Sequence, residues 1–400
     1  MLSDAAYPVV KATLPVVGEN IQEIARRFYG HMFGEHPELL DGLFNRGNQA
    51  DGGQQQALAG SVAAYASQLV NNPTEVPDRL LSRIAHKHVS LGLRPEQYRI
   101  VHANLMWAIV DVLGDAVTPE VAAAWDEVYW LMANALINKE RGLYDAVRLS
   151  PETIYRTWRV AEKIPETADV VTFVVERVDE RDVKPSLPGQ YTTLLMRMPD
   201  GVRQPRQYSL TRADDGQHRV FAVKRVTGNG TPPGEMSNLL HDQVQVGDEV
   251  TLSAPAGDVV LEYTDRPVVL ASAGIGITPM AGMLSHLVKA GAQRKVLFLH
   301  ADASEDTFAL RGQVTADLDS LLDGRMAVWY EQPSGPTGEG VHAGLMNVSA
   351  VDLPQDAQYY LCGPLPFMQA VRSSLIAKGV RSKDIQYEVF GPDLWLADFE

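Results

Sequence analysis

The apolar residues of this chain change their spacing near residue 150, and that change limits what it can fold into. Up to about residue 148 they recur at steps of three and four, the spacing of one helix face, with turn residues between the runs. Helices are predicted over roughly 4–17, 20–34, 54–71, 77–91, 95–113 and 119–147. Thr118-Pro119 opens the last of these with an N-cap followed by proline at the first helical position, where its missing N–H costs little. After Leu149-Ser150-Pro151 the signal becomes short β-rich runs such as Val170–Val175 and Val220–Val223, separated by Gly/Pro turns, as in an antiparallel barrel. From about Pro267 short apolar strands alternate with helical stretches: Val268–Ala271, Val296–His300, Tyr359–Cys362 and Tyr387–Phe390. That alternation predicts a parallel α/β sheet. The expected fold class is multidomain: an all-α domain over 1–148, an antiparallel β-barrel over 152–264 and an α/β parallel-sheet domain over 265–400. A length of 400 residues suits two to three domains of roughly 150 residues each.

Charge narrows the function classes. Lys and Arg number 35 against 50 Asp and Glu, a formal charge of -15 with no basic run, so nucleic acid is not an expected partner. The only cysteine, Cys362, removes intramolecular disulfides, Cys-based zinc sites and a C-x-x-C-H haem attachment, and suits a reducing cytoplasm. The start, MLSDAAYPVV, lacks the regions of a signal peptide. Pro267–Ser285 carries no charge over 19 residues, but its two prolines and three glycines read as a buried strand entering a glycine turn and a helix rather than as a membrane span.

Within the helix over 77–91, Leu81, Ile84, His88 and Leu91 share an apolar face, whereas Ser82, Arg83, His86 and Ser90 lie on the polar side. His88 is thus expected to face the interior and His86 the solvent. A lone interior histidine is usually structural, yet polar Tyr29 and Gln54 also join apolar faces, Tyr29 with Ala25 and Gln54 with Leu58, Val62 and Tyr65. Such groups make sense around a bound ligand, although a tyrosine body packs in cores and a glutamine often starts a helix. Tyr98 shares a face with Val101 and Leu105, and Glu140 with Leu136. An interior carboxylate needs a partner, and a ligating histidine donates its other ring nitrogen to an acceptor.

The strings Phe28-Tyr29, Pro37-Glu38-Leu39 to Phe44-Asn45, Gln54 with Leu58, Ala64-Tyr65-Ala66, Lys87-His88, Pro95-Glu96-Gln97-Tyr98 and Ile137-Asn138-Lys139-Glu140 resemble the globin domain of bacterial flavohaemoglobins. The resemblance implies a non-covalent haem b. His88 would be its iron ligand, Tyr98 and Glu140 the groups that orient His88, Tyr29, Gln54 and Leu58 the opposite pocket, and Phe44 and Lys87 further haem contacts.

Two motif sets downstream resemble the ferredoxin reductase family. Pro188-Gly189-Gln190-Tyr191 followed by Arg206-Gln207-Tyr208-Ser209 is similar to its FAD signature. An arginine neutralises pyrophosphate, a tyrosine ring stacks on a flavin, and a hydroxyl hydrogen-bonds the edge where hydride arrives. Gly234-Glu235-Met236-Ser237-Asn238 precedes an apolar helix whose first amides suit pyrophosphate, a capped loop being the plainer reading; the segment Thr227–Pro233 is longer than usual for that family. Ala273-Gly274-Ile275-Gly276-Ile277-Thr278-Pro279 is similar to the family's nicotinamide-phosphate turn, with Thr278 expected to cap the helix that Pro279 starts. Ile277 replaces a polar residue common there. Cys362-Gly363 and Glu388-Val389-Phe390-Gly391-Pro392 fall at strand ends, where nicotinamide would lie and where Phe390 would cover the flavin. Asp302, after the second parallel strand, favours NADH over NADPH.

The resemblance covers essentially the whole chain. It implies a monomeric, cytoplasmic oxidoreductase, a nitric oxide dioxygenase that moves electrons from NADH or NADPH through FAD to haem and converts nitric oxide and O2 to nitrate. The alternatives are an oxygen store or sensor with a haem-reducing flavin domain, and a general NADH-dependent reductase of hydroperoxides or ferric iron.

Overall fold

The computed structural model describes residues 1–47, 52–75, 77–228, 232–336 and 338–391. Two compact units divide the chain. One comprises Met1–Tyr155 with Leu195–Arg206 and Gly391, and the other Arg156–Leu194 with Gln207–Phe390.

The first unit is built on α1 (Ala6–Glu35), α2 (Gly53–Asn71), α3 (Asp78–Leu91), α4 (Gln97–Leu113) and α5 (Pro119–Val147). The first two expected helices are a single one: α1 runs through Pro15 without stopping. Its buried residues Val10, Val17, Ile24, Phe28 and Met32 form one stripe at steps of seven and four, and packing along that stripe outweighs the local cost of proline and Gly18. At α5 the cap is as the sequence implies, with Thr118 Oγ1 accepting from the Val121 amide at 3.3 Å. The core gathers Ile24, Phe28, Met32, Ala66, Leu81, Leu105, Trp125 and Leu136.

A six-stranded antiparallel sheet follows, from β1 (Tyr155–Pro165), β2 (Val170–Arg177), β3 (Tyr191–Arg197), β4 (Arg203–Ser209), β5 (His218–Lys224) and β6 (Glu249–Ser253), in the order β4-β3-β6-β1-β2-β5. Its outer strands meet just past β4, where Leu210 bridges Phe221, so the sheet curls toward a closed barrel as expected. Between β5 and β6 lies the short helix α6 (Glu235–Asp242).

The parallel sheet holds β7 (Val268–Ala273), β8 (Val296–Asp302), β9 (Gly324–Tyr330), β10 (Val341–Ala343), β11 (Gln358–Cys362) and β12 (Ile385–Glu388), ordered β10-β9-β8-β7-β11-β12. Helices α7 (Ile277–Lys289), α8 (Arg311–Asp319) and α9 (Leu365–Ala377) connect them. Central strands β7 and β11 are buried along almost their whole length, which is why they read as unbroken apolar runs. β9 and β10 were not among the expected strands, although Met326–Tyr330 is an apolar run of strand length. The last strand also sits two residues earlier than expected: its ladder ends at the Cys362–Glu388 pair, leaving Val389 and Phe390 beyond it. Among the described residues no helix is long and apolar enough to cross a membrane.

Candidate functional site

His88 lies in the last turn of α3. Its Nδ1 is 2.7 Å from Glu140 Oε1 on α5 and 3.0 Å from the hydroxyl of Tyr98 on α4. Tyr98 in turn donates to the same carboxylate oxygen at 2.5 Å. Glu140 and Tyr98 are buried, at 3% and 6% exposure, whereas the His88 side chain is 27% exposed, so one ring edge is enclosed and the other open. A carboxylate at Nδ1 selects the tautomer with the proton there and leaves Nε2 as a lone-pair donor, which has no hydrogen bond among the described residues. Burial, and then the nearby charge of Glu140, push the Tyr98 hydroxyl far above its ordinary value, so it stays a donor.

The fate of His86 differs from expectation. It is half-buried rather than solvated, and burial, then Lys139, lower its pKa to about 4. The buried stripe of α3 is Leu81, Ala85 and Val89, rotated from the expected Leu81-Ile84-His88 face, so His88 borders the core instead of filling it. Lys87 is half-buried, its Nζ 3.5 Å from the carbonyl oxygen of Gly391.

On α1, Tyr29 is 7% exposed within an aromatic cluster, 4.7 Å from Phe28, 5.6 Å from Phe33 and 6.1 Å from Phe44 between ring centroids. Burial raises its hydroxyl above the ordinary range, and a hydrogen bond with Gln54 acts against this. Tyr29, Gln54 and Phe44 are therefore brought together, with half-buried Leu58 one turn after Gln54 on α2. Gln54 Oε1 is buried without a hydrogen-bond partner among the described residues. A buried tyrosine hydroxyl that receives Gln54 and keeps its own proton to donate, and a histidine nitrogen held as an electron-pair donor, together fit a haem that binds a small molecule. Among the described residues no group of three or more His, Cys, Asp or Glu could hold a metal, and a haem iron requires only one such ligand.

The flavin motif lies on β4, which carries Arg206, Gln207, Tyr208 and Ser209. Tyr208 stacks on Phe221 at 5.4 Å and Phe221 on Phe173 at 5.6 Å, a ring column that fixes the tyrosine. Gln207 donates to Thr193 Oγ1 at 3.3 Å and Arg206 to the Pro205 carbonyl at 2.7 Å. Ser209 is 6% exposed and its hydroxyl has no hydrogen bond among the described residues, so it is available to a ligand. In the Pro188-Gly189-Gln190-Tyr191 turn, Gly189 has φ +102° and a Cβ there would lie 2.5 Å from the Val259 carbonyl oxygen, which explains the glycine. Tyr191, at the start of β3, is half-buried. The Ser237 hydroxyl accepts from the Val226 amide and donates to the Gly234 carbonyl, both at 3.1 Å, so it serves its own turn. Residues 229–231 of the Thr227–Pro233 segment lie outside the described residues, as does Pro392.

The glycine turn leaves β7 as a 3-10 turn, Gly274–Gly276, that runs straight into α7. For this reason Thr278 does not cap the helix: it is the second helical residue and donates back to the Ile275 carbonyl at 3.0 Å, and α7 has no side-chain cap. Pro279 falls in the first turn, where its missing N–H still costs nothing. Ile275 is half-buried, whereas Ile277 is fully buried in the second core, where a polar side chain would need a partner. Gly276 packs on Cys362-Gly363, since a Cβ would lie 2.4 Å from the Cys362 carbonyl oxygen. Cys362 is itself fully buried, its thiol pushed up by burial and by Glu388. Phe390 is 48% exposed, so it is not a core aromatic; Val389 is half-buried. Asp302 is taken up locally, receiving the Ala303 amide at 2.8 Å, Thr307 Oγ1 at 2.5 Å and facing His300 Nε2 at 3.3 Å, which weakens the expected preference for NADH.

Family models match in the order expected: Globin over residues 26–136, Oxidoreductase FAD-binding domain over 157–261 and Oxidoreductase NAD-binding domain over 270–373. A flavohaemoprotein of Bordetella parapertussis is 42% identical, covering 98% of this chain and 99% of its own, and one of Rhizobium meliloti is 40% identical, covering 99% and 100%. The chain belongs to the flavohaemoprotein family. Among solved structures, a flavohaemoglobin from Malassezia yamatoensis with bound FAD and haem superposes with a TM-score of 0.89 at 39% identity, over 98% of this chain and 100% of that one. The FAD/NAD-binding domain of a nitric oxide dioxygenase from Vibrio cholerae matches with a TM-score of 0.54 at 38% identity, over 59% of this chain and 99% of that one. As a flavohaemoprotein, the chain is an oxidoreductase combining globin, FAD-binding and NAD-binding domains. One supporting residue went unnoticed in the sequence: Tyr129, whose hydroxyl donates to the Tyr98 carbonyl at 2.6 Å. Its signal was present, since it precedes Glu140 by three helical turns on α5.

Proposed function

We propose that the chain is a nitric oxide dioxygenase, with 1–148 as the haem domain, 152–264 as the FAD domain and 265–400 as the NAD(P)H domain. When bound, haem b would supply an iron for O2 and nitric oxide chemistry, and FAD would supply the means of converting a hydride from NADH or NADPH into single electrons. Nitrate requires one nitric oxide, one O2 and one electron, so each NAD(P)H serves two turnovers. The observation that carries this reading is the buried Glu140 carboxylate against His88 Nδ1. It makes His88 a stronger donor than a neutral acceptor would, which suits activation of bound oxygen more than reversible storage.

His88 would hold the iron through Nε2, while Tyr98 and Glu140 fix its tautomer and ring plane. Tyr29 would donate its hydroxyl to a small bound molecule, Gln54 would orient that hydroxyl, and Leu58 and Phe44 would keep the space apolar and small. Lys87 would contact the haem edge. In the reductase part, Tyr191, Arg206, Gln207, Tyr208 and Ser209 would hold FAD, with Ser237 contributing backbone only because its hydroxyl is already paired. Gly274, Ile275, Gly276, Ile277, Thr278 and Pro279 would form the nicotinamide turn. Cys362, Gly363, Glu388, Val389 and Phe390 would flank it at the paired strand ends. The lone buried cysteine suits a reducing cytoplasm. Nitrate formed per nitric oxide consumed, with NADH and O2 supplied, tests the proposal: a ratio near one supports it, whereas NADH oxidation without nitrate would mean a general reductase.

A further inference from the structure

Within the first unit, the start of β4 is seated on the turn that follows the 3-10 segment Pro37–Leu40. Arg203 gives its amide to Asp41 Oδ1 at 2.7 Å, its carbonyl oxygen accepts from the Gly42 amide at 2.9 Å, and its Nη2 donates to Asp41 Oδ2 at 2.8 Å. Gly42 can aim its amide there because it takes φ +87°, which glycine adopts without strain. Space is not the reason, since a Cβ would stand 3.6 Å from Leu195 Cδ1, an ordinary contact.

An ion pair between side chains 46% and 42% exposed contributes little by itself, so the seam rests on what lies beneath it. Gln204 is fully buried and bonded at both ends of its amide. Its Oε1 accepts from the Arg46 amide at 3.0 Å and stands 3.5 Å from Arg206 Nη1. Its Nε2 donates to the Arg203 carbonyl at 3.1 Å, the same oxygen that receives Gly42. Reversing the amide would set N–H against N–H at one end and oxygen against oxygen at the other, so its orientation is fixed. Arg46 also pairs with Asp200, three residues before Arg203. In sequence, Asp41, Gly42 and Arg46 bracket Phe44 of the haem pocket, and Arg203 and Gln204 run into Arg206 of the flavin motif.

We propose that Gln204 and Asp41 are positioning residues for electron transfer: they hold the start of the flavin strand against the turn that carries Phe44, and so fix the gap an electron crosses from FAD to haem. This rests on the FAD-to-haem reading above. The step moves one electron, oxidising reduced flavin and taking ferric iron to ferrous. Neither residue is among those assigned to a cofactor; each acts through Arg203 and the main chain. Removing either side chain lets the strand part from the turn and slows that step, while hydride transfer to FAD is untouched.

The full holoprotein, Asp41→Ala, Gln204→Met and the double variant decide it. Hydrogen exchange read by mass spectrometry is expected to speed up about three- to tenfold at the Arg46 amide in Asp41→Ala and at the Gly42 amide in Gln204→Met, neither amide being bonded to the altered side chain. Anaerobic stopped-flow with NADH and carbon monoxide is expected to show FAD reduction at the parental rate, and haem reduction by FAD slowed about three- to tenfold in each single variant and no further in the double. Carbon monoxide binding to dithionite-reduced haem should match the parent. Parental haem reduction in the single variants makes the seam structural only and overturns the proposal, as do unchanged exchange or effects that multiply in the double variant. Asp41 is exposed, so its variant still decides the matter where Gln204→Met does not fold. A parent whose FAD is reduced but never passes electrons to haem would instead sink the reading on which the proposal rests, and the exchange data would still decide the seam.

Discussion

Gly276→Ala is the sharpest steric test of the nicotinamide turn. The new methyl would stand 2.4 Å from the Cys362 carbonyl oxygen, 2.6 Å from its carbonyl carbon and 2.7 Å from Gly363 Cα. All three are backbone atoms of a central strand and its exit, so no side chain can swing aside. Ordinary contact begins near 3.4 Å, so the turn must retreat by about 1 Å. Overpacking of this kind typically costs about 1–3 kcal/mol, and a misplacement of about 1 Å at a reacting centre costs about 100-fold in rate. We expect FAD reduction by NADH to fall by about that factor, while bound FAD and O2 binding by chemically reduced haem stay intact. Stopped-flow absorbance follows both in one sample. Parental rates would refute the assigned turn, and parallel loss of haem function would show global damage instead.

Tyr29→Phe removes a single hydroxyl from the aromatic cluster, and a hydrogen bond of about 1–1.5 kcal/mol predicts roughly tenfold faster O2 release with slower nitric oxide consumption. Flavin reduction should be unchanged, and laser-flash O2 kinetics matching the parent would move the donor role to Gln54. Glu140→Gln should lower turnover about 10- to 100-fold and alter the haem spectrum through His88, and unchanged spectra would reduce Glu140 to packing. Burial holds the His300 imidazole below its ordinary 6.5, so as pH falls below about 6.5 the unfolded chain takes up a proton that the folded chain refuses. Stability should therefore rise with pH through that window by at most about 1.4 kcal/mol per unit, and His300→Gln should flatten the dependence of the urea midpoint for flavin release; an unaltered slope would contradict this.

The order of architectures was legible in the sequence because it rests on local periodicity. Helical steps before residue 150, paired β runs after it and alternating strands beyond Pro267 each reflect which face of a short element must leave water. Motifs that act through backbone geometry were equally legible: Gly189 and Gly276 stand where a Cβ would strike a carbonyl oxygen. Most of what the sequence misjudged depended on partners distant along the chain, Thr278 being a local exception. Pro15 reads as a break, yet α1 continues because its buried stripe spans it. His86 reads as solvated, yet its neighbours desolvate it. Thr278 reads as a cap, yet the preceding 3-10 turn places it inside the helix. The strand pattern missed β9 and placed β12 two residues late, since pairing with β8 and β11 sets where those strands begin and end. Above all, Glu140, Tyr98 and His88 come from three helices, and Gln54 meets Tyr29 across two. Spacing placed each on an inward face, but the choice of His88 tautomer required a carboxylate at 2.7 Å, and only packed helices fix such a distance.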